Sequence, residues 1–227
     1  MCGRFTITLT VGFGERFGVD ESSLDLVPRY NIAPSQQVPV IFTTPAGARA
    51  AMPMTWGLVP SWTRDMTGAR PLINARADSL AERPAFRGPL ARHRCIIPAT
   101  GFYEWQKSGT QKVPYYICRK DKGFLAFAGL YDVLRGRNPP LWTFAIITTE
   151  PNPLVARFHD RMPAILTRDA EDHWLTPGPI AERDRASMLA PCADPILEAY
   201  PVSRAVNDPS RDGPDLIRMS GDRTLDV

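Results

Sequence analysis

Proline sets the first limit on what this chain can fold into. Its 23 prolines are scattered over 227 residues, and each one disfavours a helix interior and removes a donor from a sheet. Scatter of this kind favours many short strands joined by structured loops over a disordered linker, in which prolines would cluster. The runs between them agree. "RFTITLT", "VPVIFTT", "AAMPMTW", "CIIPATGFYEW", "VPYYICRK", "FLAFAGLYDVL" and "LWTFAIITTE" are rich in β-branched and aromatic residues and read as strands. Helical candidates are fewer and shorter: "SLAERPAF" with Asp78 and Ser79 as caps, "PNPLVARFH", "TRDAEDHWL" with Thr167 as N-cap, and "PIAERDRASMLA", the best amphipathic pattern. Strands throughout with helices inserted predict an α+β fold on a mostly antiparallel, barrel-like sheet. Irregular alternation of strands and helices argues against Rossmann and TIM arrangements, and Walker A, GxGxxG and HExxH motifs are absent.

Hydrophobic residues make up 44% of the chain and charged residues 22%, enough to fill a sizeable core of one domain or two. There is no tandem repeat, and no apolar run approaches a membrane span. The N-terminus turns polar too early for a signal peptide, so a cytoplasmic protein is expected. Four cysteines, Cys2, Cys95, Cys118 and Cys192, lie far apart without zinc-type spacing, so neither a disulfide framework nor a metal site is expected. Cys95 and Cys118 sit in apolar runs and read as buried thiols. Net charge is only +3, yet 23 of the 27 basic residues are arginine, and seven of these face three acids between Arg64 and Arg94. Arginine suits bidentate phosphate contacts, although a G- and C-rich genome also favours it.

Four stretches carry residues with chemical potential. In "MCGRF", removal of Met1 would leave Cys2 with an α-amine and a thiol on adjacent carbons, able to condense with an aldehyde or attack an acyl group; an inert small second residue is the simpler explanation from this stretch alone. In "PLINARADS", Asn74 and Arg76 alternate with alanines and would share one face of a strand, as a site or as a solvent-facing edge. In "PATGFYEWQ", Glu104 lies between Tyr103 and Trp105, where a carboxyl tends towards a raised pKa, and Gly101 would let a backbone or ligand approach closely. In "RFHDRMPAIL", His159, Asp160 and Arg161 follow a short helix, and the histidine titrates near neutrality. "MTWGLVPSW" adds Trp56, Pro60 and Trp62, and "RYNIAPSQ" adds Asn31 and Pro34; tryptophans exposed near arginines would stack on unpaired bases.

Together these segments resemble the SOS-response-associated peptidase (SRAP) family, whose members sense abasic sites in single-stranded DNA and crosslink to them. The matching pieces are "MCGRF", "RYNIAPSQ", "WGLVPSW", "INARAD", "RCIIPATGFYEW", "FAGLYD", "ITTEPN", "HDRMPAIL" and "PVSRAVND", in the family's order. The resemblance implies a single SRAP-like domain over residues 1–208, followed by a partly disordered tail, 209–227. It implies that Cys2, freed of Met1, attacks the ring-opened aldehyde through its amine and closes a thiazolidine through its thiol. Asn74 would orient Cys2 and the sugar, Glu104 would hold the amine and move protons, and His159 would handle the sugar oxygen. Arg4, Arg76 and Arg161 would contact phosphates, while Pro34 and Trp62 would wedge or stack at neighbouring bases.

No cofactor is implied. The expected partner is single-stranded DNA containing abasic sites, met by a nucleoid-associated monomer, with replication-fork proteins as further candidates. Two positions depart from the family pattern. Asp78 stands where glutamate is usual, with only peripheral contacts expected to change, and Thr63 stands where some members carry a second tryptophan. Two other functions stay open: a thiol peptidase whose activity ends at its own Met1, and a non-covalent single-strand binder.

Overall fold

Non-local pairing among strands builds the scaffold on which the candidate residues sit. The computed structural model describes residues 2–68 and 70–221. In chain order the elements are β1 (Phe5–Ile7), α1 (Phe13–Phe17), β2 (Arg29–Ile32), β3 (Gln37–Thr43), β4 (Arg49–Trp56), β5 (Asn74–Arg76), α2 (Pro84–Arg92), β6 (Arg94–Ala99) and β7 (Gly101–Ser108). They continue with β8 (Gln111–Arg119), β9 (Leu125–Leu134), β10 (Leu141–Thr149), α3 (Pro153–Ala156), β11 (Met162–Pro163), α4 (Arg168–Leu175), α5 (Glu182–Met188) and β12 (Leu197–Pro201).

Strands β10, β4, β3, β6 and β9 follow one another side by side, and β9 pairs back onto β10, so five strands close into a barrel. Only β4–β10 is a parallel contact within this ring. Closure removes free edges, and it explains why every residue of β9 is buried: one face looks into the barrel, the other is covered by helices. A second sheet, ordered β12-β8-β7-β1-β2, packs against the barrel. Phe5, Phe102, Phe127, Trp56 and Phe144 fill the space between them, with Phe5 edge-on to Trp56 at 5.1 Å and to Phe127 at 6.1 Å. Phe13, Phe17, Phe86 and Trp174 form a further apolar cluster with outward-facing barrel residues. The α+β, mostly antiparallel, barrel-like expectation holds.

Local readings differ in three places. "CIIPATGFYEW" is two strands in two sheets, broken at Thr100, whose hydroxyl meets that of Thr6 at 2.8 Å, which in turn meets that of Tyr116 at 2.8 Å. Gly101 admits neither a backbone nor a ligand; a Cβ there would lie 2.4 Å from the Tyr116 ring, so the glycine makes room for a buried tyrosine. "SLAERPAF" is not one helix from Ser79: Ala77–Ser79 is a single 3₁₀ turn and α2 begins at Pro84, because a residue before proline is driven to extended backbone and Arg83 sits at φ −77°, ψ 123°. Helix α5 keeps the amphipathic reading: Ile180 and Met188 pack against the outer apolar cluster, and Leu189, just past the helix end, is buried in it.

The expected tail also needs correction. Residues 209–221 pack onto the second sheet: Leu216 is fully buried beside Tyr103, Tyr116, Val202 and Val206, and Met219 bridges to Val202. The remainder of that tail, 222–227, lies outside the described residues.

Candidate active site

The N-terminal segment runs into β1, which Phe5 anchors in the core, and Cys2 is carried in fully buried. Beside it, β5 runs parallel to β10 with Asn74 opposite Ile146 and Arg76 opposite Thr148. This register puts Asn74, Arg76 and Thr148 on one face, as the alternation in "NAR" suggested. Asn74 Nδ2 donates to the Cys2 carbonyl at 3.0 Å. Among the described residues, its Oδ1 and the Thr148 hydroxyl are both buried without a hydrogen-bond partner. A buried polar atom left unpaired costs about 1–3 kcal/mol, a cost that persists where an incoming ligand completes the bonding. Thr148 gave no signal in the sequence; only the β5–β10 register brings it here.

Glu104 sits on β7 opposite Tyr115, 3% exposed. Burial, reinforced by the nearby charge of Asp160, pushes its carboxyl up to about 7. The Cys2 thiol is raised well above its ordinary range, first by burial and then by Glu104, so thiol and carboxyl feel one another. His159 follows α3, which starts at Pro153 with Asn152 Oδ1 accepting from Val155 N at 2.9 Å. Arg161 N donates to His159 Nδ1 at 3.0 Å, and an Asp160 carboxylate oxygen lies 2.7 Å from the same nitrogen. The two contacts ask opposite things of one atom. Burial outweighs Asp160 and lowers the His159 pKa, favouring a neutral ring whose Nδ1 accepts and whose proton is on Nε2. Glu104 and His159 line one cleft of about 970 Å³, with Trp105, Asp160 and Asn207 on its walls. Cys2, Asn74, Glu104 and His159 are thus linked by direct contact, electrostatic coupling or a shared cleft.

The expected phosphate arginines separate into two kinds. Arg76 is exposed and holds Asp78 through two bonds, at 2.7 and 3.1 Å. Arg4 and Arg161 are occupied by the protein itself. Arg4 donates to Asn31 Oδ1 at 2.8 Å and to the Val206 carbonyl at 2.7 Å; Arg161 is 7% exposed, donates to the Thr148 carbonyl and lies 3.6 Å from Asp78. Asp78 therefore partners two of the three arginines, a larger role than the peripheral one expected of it.

Asn31 is a latch. Its Nδ2 reaches the carbonyls of Val206, Asp208 and Arg211 at 3.2, 2.9 and 2.9 Å, and Asp212 accepts from the Tyr30 and Asn31 backbone. These bonds tie "RYN" to the C-terminal segment and hold Asn207 at the cleft, where its Oδ1 accepts from Trp105 Nε1 at 2.8 Å. Pro34 is half-buried ahead of Ser35, which has φ 73°. Trp56 is core, whereas Trp62 is 57% exposed on a loop fixed by Ser61 N donating to buried Asp132 at 2.8 Å.

Cys2 lies in the core shared by the barrel and the second sheet, beside the Asn74 amide and within electrostatic reach of the Glu104 carboxyl. Residues 1–209 match the family described as SOS response associated peptidase, and the chain belongs to that family. It is 42% identical to the Bacillus subtilis "Abasic site processing protein YoqW", over 96% of this chain and 99% of that protein. It is 31% identical to the Gallus gallus "Abasic site processing protein HMCES", over 84% of this chain and 66% of that one. A crystal structure of a Bacteroides thetaiotaomicron protein superposes with a TM-score of 0.85 at 30% identity, covering 96% of this chain and all of that one. No helix among the described residues is long and apolar enough to cross a membrane.

Proposed function

We propose that this protein processes abasic sites by capturing them covalently in single-stranded DNA through Cys2 once Met1 has been removed. The observation that carries the reading is the setting of Cys2: its carbonyl is clamped by Asn74 at 3.0 Å and its thiol is coupled to a carboxyl poised at about 7. An unperturbed α-amine has a pKa of about 8, so it is mostly protonated at neutral pH. A carboxyl titrating near neutrality is suited to take that proton and return it. The amine then adds to the ring-opened aldehyde and loses water to form a Schiff base. The thiol adds to the imine carbon, its proton passes to nitrogen, and a thiazolidine results.

The raised thiol pKa supports this order. A protonated, buried thiol is a poor opening nucleophile but serves for ring closure after the amine has bonded, and it favours aldehyde capture over thiolate peptidase chemistry. Asn74 Oδ1 and the Thr148 hydroxyl are available to the sugar, and His159 Nε2–H reaches its ring oxygen as the sugar opens. Arg76, with Arg161 beside it on Asp78, and Arg4 meet phosphates. Pro34 and Trp62 meet the flanking bases. The relatives named as abasic site processing proteins support the substrate class. The protein acts as a monomer at the nucleoid.

The test is a denaturing gel of protein incubated with an abasic-site single strand. Wild type should give a slow, denaturation-resistant band. Cys2→Ser should still bind DNA yet give no stable band. A band of undiminished yield and lifetime from Cys2→Ser would end the thiazolidine reading.

A further inference from the structure

The β7–β8 hairpin places Lys107 directly opposite Lys112. Like charges at facing positions on paired strands destabilise a hairpin, and proteins relieve such pairs with a neighbouring acid or a bound anion. Both lysines are exposed and line the same cleft as Glu104 and His159. Arg157, at the end of α3, lines it too, and Arg204 reaches the hairpin by donating to Gln111 Oε1. Among the described residues, none of the four has a carboxylate within ion-pair distance. The cleft also holds two carboxyls, Glu104 and Asp160, neither within ion-pair distance of these cations. Lys107 lies three steps along the strand from Glu104, on its alternate face and about 10 Å of extended chain away. That is too far for the captured sugar and suited to its flanking phosphates.

We propose that Lys107 and Lys112, with Arg157 and Arg204 beside them, form a phosphate track for the DNA strand leaving the cleft, opposite in charge to the backbone and indifferent to sequence. The proposal rests on the single-stranded DNA reading above and extends the footprint beyond Arg4, Arg76 and Arg161. A bound phosphodiester also supplies the missing counter-charge between the two lysines.

Binding of an intact single-stranded oligonucleotide, measured by fluorescence anisotropy over a salt series, tests it. Each phosphate contact on a single strand contributes about 0.7 to the slope of log K against log salt, so Lys107→Ala/Lys112→Ala should flatten the slope by about 1.4. Lys112→Glu is the second arm. It gives Lys107 an opposite charge across the strands, so thermal stability should hold or rise while DNA affinity falls. An unchanged slope in the double variant overturns the track, as does a parallel fall in stability and binding in Lys112→Glu, which marks a structural hairpin. Adduct formation with an abasic strand, read on the same samples, separates the two readings. An adduct with an unchanged slope removes the track alone. No wild-type adduct with a flattened slope removes covalent capture and leaves the track standing.

Discussion

Replacing Glu104 by glutamine should make the protein more stable, and only at neutral to alkaline pH. In the folded state the carboxyl titrates at about 7 against 4.5 for an unperturbed glutamate, chiefly because it is buried. A carboxyl whose folded pKa is raised favours folding in its protonated form. Its contribution is therefore intact below the unfolded value and is lost as pH rises through the folded one. The difference is about 2.5 pH units; at about 1.4 kcal/mol per unit, holding the ionised group in place costs about 3 kcal/mol above pH 7. Glutamine keeps the shape and carries no charge. Urea unfolding followed by tryptophan fluorescence should give wild type and Glu104→Gln similar stabilities near pH 4.5, with the variant ahead by about 3 kcal/mol at pH 8. The same variant should form the adduct slowly, since the proton acceptor is gone. A stability difference that does not change with pH would refute the reasoning, because Glu104 would then titrate where an exposed carboxyl does.

Three further outcomes follow from the geometry. Gly101→Ala should cost about 1–3 kcal/mol in urea unfolding through the Tyr116 clash, and much less in a Tyr116→Ala background, a coupling that a double-mutant cycle reads directly. Asn31→Ala removes three bonds to the C-terminal segment, so hydrogen exchange over residues 203–219 should accelerate and global stability should fall by about 2–4 kcal/mol. Arg76→Ala should flatten the salt slope of DNA binding by about 0.7 with stability unchanged, whereas Arg161→Ala, which loses a bond from a charged donor to the Thr148 carbonyl, should lower stability by about 2 kcal/mol.

The strands with dense β-branched and aromatic residues were legible because their pattern is local. A barrel-like sheet was expected, but which strands close it was not legible, since the β4–β10 pairing joins distant segments. Cys2, Asn74, Glu104 and His159 stood out by residue type, but their roles came only with the family resemblance; aromatic flanks foretold the raised carboxyl at position 104. Arginine type says nothing of whether a guanidinium faces water or a carbonyl, so Arg4 and Arg161 looked the same as Arg76. Thr148 and Asn207 are ordinary residues made important by register and by the Asn31 latch. The segment 209–221 looked loose because its anchors, Asp212 and Leu216, find their partners in β2 and on the far face of the second sheet.

The central claim is that Cys2 becomes a terminal aminothiol and bonds to an abasic sugar. Intact mass spectrometry before and after incubation with an abasic-site single strand tests it most directly. The account predicts a protein lacking Met1 that gains the oligonucleotide's mass less one water, and a Cys2→Ala variant that gains no lasting adduct. Protein without Met1 that takes up no mass, or an equal and stable adduct on Cys2→Ala, would contradict it.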